Sequence, residues 1–211
     1  MSKSYDQYCP IAHALDIVGE RWSLLVVREL LARGPRRYSD LHDALGGCGT
    51  NILAARLKEL ERQGVVRKRR LPPPAASTVY ELTELGEALR PVVHELAHWG
   101  LRTLSPPTID DDLAPGWLPG ALRLAFPESP TTACIEFRIG GELASFVGGE
   151  VREGAADAPD AVVDGDAGGL YHLVVDHDLG AVDIRGRRAV VAELLATLPG
   201  SALLPALTAA E

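Results

Sequence analysis

The sequence predicts two domains of different class: a mainly α half over residues 1–104 and an α+β half over residues 117–211, joined by a linker. Three observations predict this. Charge divides unevenly: residues 1–105 carry 15 Lys+Arg against 12 Asp+Glu, a net of +3, and residues 106–211 carry 6 against 17, a net of −11. Such asymmetry suggests two units that face different partners. Apolar residues recur at helical spacing through most of the first half and alternate in short runs through much of the second. Between them lies SPPTIDDDLAPG, residues 105–116, whose prolines, glycine and three adjacent aspartates suit an exposed linker.

The totals exclude several classes. With 211 residues and 46% apolar side chains, the chain can bury a core and does not read as disordered. No apolar run approaches the roughly 20 residues that cross a bilayer, so no membrane partner is expected. The start, MSKSYDQYCPIAHALD, lacks the apolar core of a signal peptide. Three scattered cysteines, Cys9, Cys48 and Cys134, do not suit a disulfide framework and point to a cytoplasmic location.

In the first half, Pro10 suits the first turn of a helix carrying Ile11, Leu15 and Val18, and Gly19 can end it. A second helix carries Trp22, Leu25, Val26, Glu29 and Leu30 and stops at Gly34-Pro35. Ser39 is the expected N-cap of a short third helix through Leu41 and Leu45, broken by Gly46-Gly47. The fourth, TNILAARLKELERQG, lines Leu53, Leu57 and Leu60 on one face, with Gly64 where a C-cap belongs. Asn51, Ala54, Ala55, Lys58 and Arg62 fall largely opposite, and the two alanines would let the helix approach a flat partner closely.

VVRKRR and STVYEL then read as two strands, and the prolines of LPPPAA, each without an N–H, make the tip between them stiff and projecting. Thr83 caps a last helical region through Leu89, Val92, Val93, Leu96 and Trp99, which Pro91 should kink or divide. Its apolar stripe is wide for the end of a small domain, and a second copy of the chain is a natural cover.

Helix, short helix, glycine turn, amphipathic helix and basic ribbon form the order of a winged helix-turn-helix, in which the second helix of the pair enters the major groove. Arg67, Lys68, Arg69 and Arg70 of the ribbon, with Arg36 and Arg37 before the third helix, are the candidate phosphate contacts on double-stranded DNA. Successive strand residues point to opposite sides, so not all four can face one phosphate row.

Cys9-Pro10, GERW (19–22), GPRRYSDL (34–41), NILAARLKELE (51–61) and VYELTELG (79–86) stand in this order along the chain. Through them residues 9–100 resemble the HxlR-type family of bacterial winged-helix regulators, relatives of the MarR group. The resemblance implies a homodimer, built by its terminal helices, that recognises a pseudo-palindrome near a promoter, usually as a repressor. The chain has Gly19-Glu20-Arg21-Trp22 where the family often shows Gly-Gly-Lys-Trp, and Asn51 where an arginine is common. Asparagine can pair bidentately with adenine but cannot replace arginine at guanine, so the operator should differ there. Thr50 and Asn51 are the expected base contacts and Lys58 a phosphate contact. Arg56 either joins them or pairs with Glu59 or another acidic side chain.

Some such relatives sense oxidants through a cysteine at the position of Cys9. A helix N-terminus can lower a thiol pKa; the alternative is that Cys9 simply packs. Cys9 and His13, four apart, lack the further ligands of a metal site, and no metal is expected.

In the second half, TTACIEFRIGG, ELASFVGG, VREG and DAVVDG read as strands, Asp166 caps a helix carrying Leu170, Leu173 and Val174, AVDIRG is a further strand, and RRAVVAELLATLP is a helix. This is α+β, with helices on one side of a mostly antiparallel sheet. VVDGDAGGLYHLV (162–174) and AVDIRGRRAVVAELLATLP (181–199) resemble the sterol-carrier-protein-like fold, which implies a tunnel for an apolar or lipid-like effector; a closed core is the alternative. Asp176, His177 and Asp178 are contiguous and cannot converge on one substrate atom, and the sequence has no phosphate-cradling glycine motif or nucleophile elbow, so no catalytic residues and no cofactor are expected. The expected function is a dimeric regulator, with a lipid carrier or an isomerase bearing an accessory winged helix as the alternatives.

Overall fold

A computed structural model of the chain describes residues 4–74, 76–101, 103–108, 113, 116–126 and 132–198. It divides into two compact units, Met1–Val93 and His94–Glu211. The expected linker at 105–116 and the end of the expected last helix at Pro199 lie partly outside the described residues.

The first unit runs α1 (Pro10–Val18), α2 (Ser23–Arg33), α3 (Tyr38–Ala44), α4 (Thr50–Arg62), β1 (Val66–Arg70), β2 (Thr78–Leu82) and α5 (Glu84–Glu87), and the boundary between the units falls within α6 (Arg90–Leu101). This is the winged helix-turn-helix order. Leu53, Leu57 and Leu60 of α4 are fully buried with Val26, Val27, Leu30 and Leu41, and truncating one such leucine to alanine costs about 2–5 kcal/mol. Gly64 follows α4 at φ +75°, a left-handed conformation that glycine adopts without steric cost.

Two boundaries differ in detail from expectation. Trp22 is not in α2 but precedes it, at φ 81°. Ser39 is not the cap of α3. The helix begins at Tyr38, and the Asp40 carboxylate accepts the Arg37 backbone N–H at 3.1 Å, so an acid in the first turn does the capping. Thr83 does cap α5, its hydroxyl accepting the Gly86 N–H at 3.2 Å, and the helical region is divided rather than kinked. Pro91 lies in the first turn of α6, where a missing N–H costs little.

In the second unit, α7 (Trp117–Ala125) precedes a five-stranded sheet of β3 (Ile135–Ile139), β4 (Glu142–Val147), β5 (Glu150–Glu153), β6 (Ala161–Gly165) and β7 (Asp183–Gly186), with α8 (Ala167–Val175) and α9 (Arg188–Leu195). The order is β5-β4-β3-β6-β7, and among the described strands only β3 and β6 pair in parallel. Ile135, Phe137, Ile139, Phe146 and Val163 form one apolar face, buried with Leu118 and Leu122 of α7, Leu173 of α8 and Leu194 of α9. The strands and the Asp166 cap fall where the sequence placed them, with Asp166 accepting the Gly169 N–H at 2.7 Å. Helix α7 was not expected: its Pro119 and Gly120 resemble the linker before it, but a proline in a first helical turn is tolerated. No helix among the described residues is long and apolar enough to cross a membrane.

Candidate nucleic-acid interface

The glycine turn before α4 leaves its first residues in solvent. Thr50, Asn51, Ile52, Ala54, Ala55 and Lys58 are all exposed, while the leucine stripe anchors the opposite face. The Tyr38 hydroxyl donates to the Thr50 carbonyl at 2.7 Å and so fixes the start of α4 against α3.

The arginines of α4 are engaged within the chain. Arg56 Nη1 lies 3.6 Å from Glu20 Oε2, so the acidic partner is in the GERW turn rather than at Glu59. Arg62 bonds Glu59 through Nε at 2.9 Å and through its terminal nitrogen. The Arg62 hydrogen bond is the main reason the Glu59 carboxyl is lowered to about 2.

The ribbon carries its cations in two different ways. Arg67 Nε reaches Glu81 Oε1 at 2.8 Å and Arg69 Nε reaches Glu81 Oε2 at 2.6 Å, so both guanidiniums share one buried carboxylate. Hydrogen bonds from Arg69 first, and then from Arg67, hold that carboxyl below the usual range. Lys68, on the other side of the strand, donates to Glu61 at 2.8 Å, its ammonium 5.5 Å from the Tyr80 ring centroid. The Glu61 hydrogen bond pushes the Lys68 ammonium up. Arg70 is exposed and makes no ion pair among the described residues.

Arg36 and Arg37 belong to the root of the wing. The Arg36 backbone pairs with Tyr80 in both directions, at 3.0 and 2.7 Å, adding a bridge to the two-stranded sheet. Its Nε is buried without a hydrogen-bond partner among the described residues. Arg37 is exposed and donates from Nε to Ser77 Oγ at 3.1 Å.

On α6, Val92, Leu96 and Trp99 are 51%, 47% and 63% exposed, Leu89 is half-buried, and Val93 turns inward at 6%. The 3.6-residue period explains the split, since Val92, Leu96 and Trp99 are one turn apart and Val93 lies 100° round from Val92. A second apolar stripe is exposed, Tyr8, Ile11 and Leu15 leading into and along α1; the sequence put Ile11 and Leu15 at helical spacing without showing that they face solvent. Its signal was the i, i+4 pair in IAHAL.

Cys9 is the half-buried N-cap residue of α1. Burial pushes the Cys48 and Cys134 thiols up, which makes them poorer nucleophiles. No group of three or more metal-ligating side chains occurs among the described residues. In the second unit, Asp178 accepts the Gly180 N–H at 2.8 Å and His172 Nδ1 lies 2.6 Å from Asp176 Oδ2, both local contacts at a helix end. Sequence reasoning also missed Glu20, Glu61 and Glu81 as partners of the basic residues. Each acid lies on a different element from the cation it meets; only Glu81 had a readable signal, as it lies opposite Arg67 once the hairpin is in register.

A family model described as HxlR-like helix-turn-helix matches residues 17–107. The uncharacterized HTH-type transcriptional regulator YvaP of Bacillus subtilis (strain 168) is 36% identical over 105 residues, 49% of this chain and 96% of that protein. The HTH-type transcriptional regulator YodB of the same organism is 33% identical over 99 residues, 46% of this chain and 88% of that protein. A solved structure of the reduced form of YodB is 32% identical, covers 48% of this chain and 100% of that one, and has a TM-score of 0.41. The family model ends at residue 107, before the strands of the α+β half.

Proposed function

Because the chain belongs to the HxlR-like helix-turn-helix family of DNA-binding transcriptional regulators, we propose that it works as a homodimeric repressor at a pseudo-palindromic operator and that its α+β half serves as an effector domain. The observation that carries the dimer is the apolar face Val92, Leu96 and Trp99, each about half exposed or more on one side of α6. Water-exposed aromatic and aliphatic side chains at this density mark a surface that another protein covers. A second copy is the occupant that also presents two α4 helices, at the 34–36 Å (roughly one DNA turn) that successive half-sites require.

In this reading Thr50 and Asn51 meet base edges, while Lys58, Arg37 and the wing cations meet phosphates. Arg56 stays with Glu20. Holding promoter DNA in this way blocks transcription. The α+β half, net −11 with residues 106–211, is repelled by the phosphate backbone and remains available to a small molecule. An apolar, lipid-like effector that binds one dimer geometry better than the other would change α4 spacing and release the operator.

Sedimentation of the full chain, combined with gel shifts on its own promoter region across a salt series, tests the regulator. Dimeric protein and a fragment bound well above random DNA are expected, and L96E with W99E should dissociate the dimer and abolish the shift. A monomer, or equal binding to every fragment, would end this reading. Native mass spectrometry and thermal shifts with fatty acids and sterols test the effector domain; empty protein with no shift removes that part alone.

A further inference from the structure

Ile52 is the one exposed large aliphatic side chain of α4, 49% exposed in the first turn, and packing does not account for it. Its core-facing neighbours Leu53, Leu57 and Leu60 complete the buried stripe without it. The Ile52 Cδ1 reaches back over the glycine turn, 3.9 Å from where a Cβ on Gly49 would stand. Helical side chains lean toward the N-terminus, so this methyl sits at the end of α4 that leads into a groove. Beside it are Asn51 and, one turn on, Ala55, both exposed.

The same surface is poor in guanine readers. Bidentate recognition of guanine O6 and N7 calls for an arginine or lysine at the base edge. The two arginines of α4, Arg56 and Arg62, are already paired with Glu20 and Glu59. Lys58 lies a further turn along, away from the leading end. What the first turn presents is an amide, with an acceptor and donors suited to adenine N6 and N7, and a branched aliphatic chain. The feature in the major groove that an aliphatic chain can read is the thymine 5-methyl group.

We propose that α4 reads A·T pairs, with Asn51 on an adenine and Ile52 packed against the 5-methyl of a neighbouring thymine. This rests on α4 being the helix that enters the groove. The specificity is apolar and positional: replacing that thymine by any base without the methyl leaves Ile52 facing water.

The test uses the full chain and a random-sequence duplex library at about 0.1 M salt, a concentration at which phosphate contacts are partly screened. In the duplex the selection enriches, each thymine is replaced in turn by deoxyuridine, which lacks only the methyl. Wild type should lose about fourfold in affinity at one thymine of each half-site, the ratio that burial of one methyl-sized group gives. I52A should bind the unmodified duplex about fourfold more weakly and ignore the same replacement. Its circular-dichroism spectrum and urea midpoint should match wild type, which shows that the fold is intact. Three results overturn the proposal alone: indifference of wild type to every replacement, I52A as sensitive as wild type, or an enriched half-site made of G·C pairs. A selection that enriches nothing overturns the operator reading as well.

Discussion

Arg69 Nε lies 2.6 Å from the Glu81 carboxylate, and Glu81 is only 8% exposed. The most basic stretch of the chain is therefore built around a buried acid. Arg67 takes the other oxygen, so the strand's two same-side guanidiniums are drawn together rather than apart. A desolvated carboxylate with two charge-assisted hydrogen bonds is a stable arrangement while both arginines remain.

Replacing Glu81 with Gln should have two effects. Unfolding free energy in urea should fall by about 1–3 kcal/mol, the usual cost of weakening a buried charged hydrogen-bond partner. Affinity for random duplex DNA at low salt should rise, because two arginines lose their internal counter-charge. A folded E81Q that binds random DNA less well would instead make Glu81 a residue that positions the arginines for DNA.

Arg70 has no ion pair among the described residues and should behave as a simple phosphate contact. R70A should make the slope of log affinity against log salt less steep by about 0.9, the release of one counterion. K68A should change it by less, since Lys68 must first leave Glu61. Equal slopes for R70A and wild type would place the wing tip away from DNA.

Acid should weaken the fold in a defined direction. Glu59 is lowered from the ordinary 4.5 to about 2 by Arg62, and Glu81 and Glu136 are also lowered, the latter chiefly by the Ala156 backbone N–H. Between those values the unfolded chain holds a proton on residue 59 that the folded chain does not. Stability is thus complete above pH 4.5 and declines as pH falls toward 2. Urea midpoints measured from pH 6 to 3 should drop, and E59Q should flatten the curve.

Gly86 should tolerate no side chain. A Cβ there would stand 2.2 Å from the Val65 carbonyl oxygen and 2.9 Å from Leu82 Cδ2, where backbone must move to admit it. G86A should cost about 1–3 kcal/mol in denaturant unfolding, as overpacking does. The wing hangs from this point, since Thr83 N–H also donates to Val65 O at 3.1 Å.

Much of this was legible in order and type. The leucine stripe of α4, the prolines at the ribbon tip, the Thr83 and Asp166 caps and the strand alternation of the α+β half all rest on local rules: helical period, strand period and backbone donors. Helix α7 was lost because its Pro119 and Gly120 carry the same local signal as a linker. Its identity as a helix depends on Leu118 and Leu122 finding the sheet, a contact made with residues some twenty or more positions away.

By itself the chain of letters determined that a basic ribbon follows an amphipathic helix, that an acidic α+β unit comes after, and which residues carry the positive charge. Only the folded arrangement decided which of those charges are already spent. Glu20 against Arg56, Glu61 against Lys68 and Glu81 against Arg67 and Arg69 join residues from different elements. Coulomb attraction between two side chains depends on their distance in space, and sequence separation carries no information about that until the backbone has folded.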